Sequence, residues 1–127
     1  MNKILILGSN SFSGNQMANF LIKKKLKVIG CSQSTEPPIK FNIILNNKKN
    51  VQKKFHFYKI DINKNFGKLK SIIKEHKPEI IIDFLGQGMV AESWKYPELT
   101  FKTNVIGKIK LYLFLKNCSF LKKYIKI

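Results

Sequence analysis

Gly8 and Gly14 stand six residues apart, directly after the apolar run Lys3-Ile4-Leu5-Ile6-Leu7 and directly before a helix-like pattern from Asn15 to Ile22. A strand, a glycine-framed turn and a helix in that order aim backbone N–H groups and a helix N-terminus at one point. That is the chemistry of holding a phosphate. Gly8 would allow the tight turn and Gly14 the close packing of the helix on the sheet. The middle position, where a backbone must approach a pyrophosphate, is Ser11. An ordinary βα turn can carry the same two glycines.

Two more places carry candidate chemistry. Ser32-Gln33-Ser34 follows a second apolar run, where a carboxylate would bond a ribose 2′-hydroxyl. The nearest acid is Glu36. A carboxylate would repel a 2′-phosphate, whereas serine hydroxyls can bond one, so the pattern leans to NADP over NAD. Asp61-Ile62 closes a third run. The aspartate can accept from an adenine amino group while Ile62 packs on the ring, or it can form an Asx turn or helix cap. His56 and His76 lack partners suited to acid–base or metal work. Cys31 and Cys118 lack metal-like or redox-like spacing and read as reduced thiols of a cytoplasmic protein. No metal site and no catalytic residue is expected.

The elements that must position these residues alternate. Strands are predicted at Lys3–Leu7, Leu26–Cys31, Phe55–Ile60, Ile80–Leu85 and Leu121–Ile127. Helices are predicted at Ser13–Lys24, capped by Ser13 with Met17, Phe20 and Leu21 as its stripe, and at Phe66–His76, with Phe66, Leu69, Ile72 and Ile73 inward. A long helix is predicted from Pro97 to Asn117, with Pro97 in its first turn and a short turn at Ser93–Tyr96 before it. Pro37-Pro38 forbids regular structure, and residues 39–54 read as irregular with one helical turn. This alternation specifies an α/β fold: a Rossmann-like, doubly wound parallel sheet of order 3-2-1-4-5.

The chain has 127 residues, enough for one domain, and 44% of them are hydrophobic, enough for a core. No apolar run approaches a membrane span, and the short one after Met1 is no signal peptide. The net charge is +17 from 24 basic residues, all lysine. The absence of arginine argues against bidentate recognition of bases or phosphates. Spread lysines read as solvated faces with weak, salt-sensitive attraction to polyanions, so a basic nucleic-acid-binding protein is the poorer alternative.

In order along the chain come Ile6-Leu7-Gly8 to Gly14, Asp61-Ile62, Asp83-Phe84-Leu85-Gly86-Gln87-Gly88 through Glu92-Ser93-Trp94, Pro97-Glu98, and Thr103-Asn104-Val105-Ile106-Gly107. Together they resemble the N-terminal part of the extended short-chain dehydrogenase/reductase family, the NAD-dependent epimerase/dehydratases, with nucleotide-sugar 4,6-dehydratases closest. The stretch Gln87–Gly107 is the most specific. The resemblance implies that Gly8, Ser11, Phe12, Ser13 and Gly14 surround the pyrophosphate of NAD or NADP. Ser32 and Gln33 lie by the adenosine ribose, and Asp61 and Ile62 face adenine. Leu85, Gly86 and Gln87 pass the nicotinamide ribose, and Asn104 props the active site. Departures are Ser11 for glycine, no acid after strand two, and Leu85-Gly86 for two alanines.

The family's Tyr-x-x-x-Lys acid/base pair is expected a helix's length beyond strand five. The formal match Tyr112-x-x-x-Lys116 lies before that strand, where Leu111, Leu113 and Leu115 mark core packing. The expectation is therefore residues 1–127 as a dinucleotide-binding domain, truncated after strand five, lacking the sugar-binding region and turnover. An open edge at strand five implies self-association or a completing partner chain. A stand-alone dinucleotide-binding module is the other reading.

Overall fold

The computed structural model describes residues 2–36, 54–86 and 88–127. The expected irregular stretch 39–53 and Gln87 lie outside the described residues. Among the described residues five strands form one sheet: β1 (Lys3–Leu7), β2 (Lys27–Ser32), β3 (Phe55–Lys59), β4 (Ile80–Asp83) and β5 (Lys123–Lys126). All pairings are parallel and the order is β3-β2-β1-β4-β5, as the sequence pattern predicts. Leu7, the last residue of β1, is flanked by Cys31 of β2 and Asp83 of β4. The strand order reverses between β1 and β4, so the chain opens a crevice at their C-terminal ends.

Alternate residues of the strands feed two cores. Ile4, Ile6, Val28 and Ile82 pack with Ala18, Leu21 and Ile22 of helix α1 (Phe12–Lys23). Leu5, Leu7, Ile29 and Ile81 pack with Leu69, Ile72 and Ile73 of α2 (Phe66–His76) and with Leu111 and Leu115 of α5 (Gly107–Leu115). The central strands β1, β2 and β4 read as near-continuous apolar runs because both faces of the sheet are covered there.

Three expectations are corrected. Helix α1 is capped by Ser11, not Ser13: Ser11 is extended (φ −66°, ψ 158°) and its Oγ accepts from the Gly14 N–H at 3.0 Å. The cap must sit outside the helix with non-helical backbone, and Ser13 is already inside it. The inward stripe of α1 is Gly14, Asn15, Ala18, Asn19, Leu21 and Ile22, whereas Phe20 is 54% exposed with Lys24 Nζ over its ring. Leu21 is buried as expected, and Gly14, without a side chain, sits directly against the Gly8 carbonyl. Leu113 is 60% exposed, while Leu111 and Leu115 alone of the three face the core.

The connection from β4 is also more broken than one long helix. Short helices α3 (Val90–Lys95) and α4 (Pro97–Phe101) precede a π-helical turn, Lys102–Ile106, that runs into α5. The Gly107 N–H donates to the Lys102 carbonyl, and a Cβ on Gly107 would stand 3.1 Å from that oxygen and 3.4 Å from the Ile62 side chain. The widened turn thus lets α5 approach the residues after β3. Among the described residues no helix is long and apolar enough to cross a membrane.

Candidate functional site

Gly8 leaves β1 with φ +80°, a conformation costly for any residue with a side chain. A Cβ there would also meet the Phe84 carbonyl carbon at 3.0 Å and the Leu85 nitrogen at 3.1 Å. The turn after β1 and the end of β4 are therefore in backbone contact across the point where the strand order reverses. Gly14 is tighter still, since its Cβ would fall 2.2 Å from the Gly8 carbonyl oxygen.

Ser11 spends its side chain inside this turn. Its hydroxyl donates to the Gly8 carbonyl at 2.7 Å and accepts from Gly14 N–H, and its own N–H donates to Gly8 O at 3.0 Å. Asn15 N–H donates to the Ser11 carbonyl in the first helical bond. The amides of Phe12 and Ser13 open the helix, where no intrahelical acceptor exists. Their side chains are exposed. What these two residues offer an anion is backbone and helix dipole, not side chain.

The turn faces an open cleft of about 290 Å³ lined by four loops. Gly8, Asn10 and Ser11 come from the first, and Ser32, Gln33 and Ser34 from the end of β2. Ile60–Asn63 follow β3, and Phe84–Gly86 follow β4, with Thr103 from the π-helical turn as a floor. Of the sequence-predicted residues, Gly8, Ser11, Ser32, Gln33, Asp61, Ile62, Leu85 and Gly86 line this one cleft. Phe12, Ser13 and Gly14 form its helical edge without lining it. Asn104 stands beside it, its Oδ1 3.3 Å from where a Cβ on Gly86 would be.

Asn10, which sequence reasoning missed, organises the β2 side. Its N–H donates to Ser32 Oγ at 2.9 Å, and its Nδ2 donates to Ser34 Oγ at 3.0 Å and to the carbonyls of Ser34 and Thr35. Both serine oxygens accept here, and a hydroxyl that accepts one bond can still donate its proton to another oxygen. Asp61 forms an Asx turn, its Oδ1 accepting from Asn63 N–H at 2.8 Å, and it still lines the cleft. Of the two sequence alternatives for this residue, the geometry shows the Asx turn. Asn63 Nδ2 donates to Thr103 Oγ1 at 2.9 Å, tying the loop after β3 to the π-helical turn.

Tyr112, of the formal Tyr112/Lys116 match, stacks edge-on against Tyr124, ring centroids 5.2 Å apart, and is not among the residues that line the cleft. Cys31 is buried, and burial pushes its thiol up to about 12 against the pull of Lys68. Among the described residues no group of His, Cys, Asp and Glu could hold a metal.

Residues 5–127 match the family model described as GDP-mannose 4,6 dehydratase. Over 64 residues, 50% of this chain, the sequence is 34% identical to CDP-glucose 4,6-dehydratase of Salmonella typhimurium, covering 18% of that protein. The fold matches UDP-glucose 4-epimerase of Thermotoga maritima with UDP-glucose, at TM-score 0.78 and 25% identity over 98% of this chain and 37% of that one. It also has the fold of dTDP-glucose 4,6-dehydratase from Bacillus anthracis, a complex with NAD, at TM-score 0.72 and 24% identity over 99% and 37% of the two chains. The chain therefore spans between about a fifth and two fifths of the length of these relatives.

Proposed function

The chain belongs to the GDP-mannose 4,6 dehydratase family, within the extended short-chain dehydrogenases/reductases, and from that premise we propose that its 127 residues are the dinucleotide-binding domain of a nucleotide-sugar epimerase or 4,6-dehydratase. The observation that carries this is the convergence of four loops on one cleft at the strand-order reversal, with Gly14 seated on Gly8. Dinucleotides bind at such a switch point, with the pyrophosphate on the first helix N-terminus.

The residues fit the group. Phe12 and Ser13 would hold the pyrophosphate by their amides, and Gly8 and Gly14 would keep the turn free of side chains. Asp61 and Ile62 would meet adenine, and Ser32 with Gln33 the adenosine ribose. Leu85 and Gly86, with Gln87 and Asn104, would flank the nicotinamide ribose. When bound, the nicotinamide supplies a hydride acceptor for a sugar C4 hydroxyl. The 127 residues offer binding and orientation for that chemistry, and the proton-transfer pair is no part of them.

Between the two dinucleotides, serine hydroxyls at 32 and 34 that can donate to a 2′-phosphate, in place of a carboxylate that would repel it, lean to NADP. No carboxylate lies in residues 32–35 to bond a bare 2′-hydroxyl or repel a 2′-phosphate. Calorimetric titration with NAD, NADP and ADP tests the proposal. Saturable binding of all three, NADP tightest, is expected. A folded chain that binds none of them would overturn it.

A further inference from the structure

Asp83 is fully buried at the last position of β4, and its carboxylate gathers donors from three elements. Lys108 Nζ from α5 and the Tyr124 hydroxyl from β5 both donate to Oδ2. Oδ1 accepts from the backbone N–H of Leu85 at 2.7 Å. Lys126 Nζ braces the same loop from outside, 3.2 Å from the Leu85 carbonyl oxygen. Burial pulls the Lys108 ammonium below its usual range while Asp83 opposes that, and burial pushes the Tyr124 phenol up.

Resting on the dinucleotide-binding proposal above, we propose that Asp83 is a positioning residue: held by Lys108 and Tyr124, it fixes Leu85–Gly86 in the shape that receives the nicotinamide half of the dinucleotide. Packing alone does not call for this trio. An apolar set of similar volume would hold α5 on the sheet as well or better, because a buried ion pair barely repays its desolvation. The trio does one thing an apolar set cannot: two donors pin Oδ2, which turns Oδ1 onto the Leu85 amide. That amide lies 3.1 Å from where a Cβ on Gly8 would be, and Gly86 lies against Asn104. The latched loop is thus the wall between the phosphate turn and the far end of the cleft.

Two paired variants separate positioning from packing. Asp83→Asn with Lys108→Gln is neutral and keeps an acceptor for Leu85, because the introduced glutamine can accept the amide protons of the introduced asparagine. Asp83→Val with Lys108→Met is also neutral but removes the acceptor of both Leu85 N–H and the Tyr124 hydroxyl. Neither leaves a lone buried charge, and Asp83→Ala with Lys108→Met repeats the second case should valine not fit. Each chain is titrated with NADP, NAD and ADP, the last lacking the nicotinamide half. The first pair is expected to bind all three like the parent. The second is expected to bind ADP like the parent and both dinucleotides about tenfold more weakly. Equal dinucleotide binding by the two pairs, or parallel loss of ADP and dinucleotide, would overturn the inference while leaving the binding proposal intact. A folded parent that binds no nucleotide would overturn the binding proposal and the inference with it.

Discussion

Gly14 packs so closely on Gly8 that a Cβ at position 14 would stand 2.2 Å from the Gly8 carbonyl oxygen and 2.9 Å from Ser11 Oγ. Backbone atoms cannot move aside as a flexible side chain can, so α1 would have to lift from β1. Gly14→Ala is expected to cost about 1–3 kcal/mol as overpacking and to abolish dinucleotide binding. Gly67 in α2 is the control: nothing lies within 4 Å of its Cβ position. Gly67→Ala should be neutral or raise stability by about 0.5 kcal/mol. Denaturant melts of the two variants check this, and equal stabilities would refute the tight seat of Gly14.

Ser32 is buried at the end of β2, with its Oγ accepting from Asn10 N–H. Ser32→Asp places a carboxylate where a 2′-phosphate is proposed to lie. NADP should weaken by at least about tenfold, or about 1.4 kcal/mol, while NAD holds or tightens. Parallel titrations with both cofactors read the ratio. An unchanged ratio would remove Ser32 from cofactor choice.

His76 ends α2 with its Nε2 2.8 Å from the Tyr58 hydroxyl, and His56 lies beside it at 5.9 Å between ring centroids. Burial lowers the His76 pKa, Glu75 opposes that, and His56 and Lys3 add to it. The folded chain therefore prefers neutral His76. Its contribution is present in full above the ordinary histidine pKa of about 6.5 and is lost as pH falls below it toward the lowered folded value. The melting temperature should fall between pH 7 and pH 5, and His76→Gln, neutral throughout, should flatten that fall. A slope unchanged in the variant would show that other groups carry it.

The sheet and its switch point were legible because buried parallel strands are short apolar runs and because Gly8 and Gly14 mark a turn that tolerates no side chain. Of the expected α1 stripe, Leu21 is buried and Met17 packs on the core while Phe20 faces outward, and at Gly14 closeness to the Gly8 carbonyl selects a residue without a side chain. Ser11 and Ser13 are the same residue type, and backbone conformation alone decides which of them caps. Asp83, Lys108 and Tyr124 were invisible as a group, since the Asp83 partners lie 25 and 41 positions away and only the sheet order brings them together. Asn10 carried a usable signal, a side chain with two amide protons in a turn facing a serine-rich strand end.

With a net charge of +17, any polyanion will be drawn to this chain, so affinity alone does not locate a site. The most direct measurement is the map of backbone amide shifts, by two-dimensional NMR of the labelled chain, as NADP is added at moderate salt. Saturable shifts confined to Gly8–Gly14, Ser32–Ser34, Asp61–Ile62 and Leu85–Gly86 are the predicted result. Shifts spread over the lysine-bearing helix faces, or none at those four loops while the chain is folded, would contradict it.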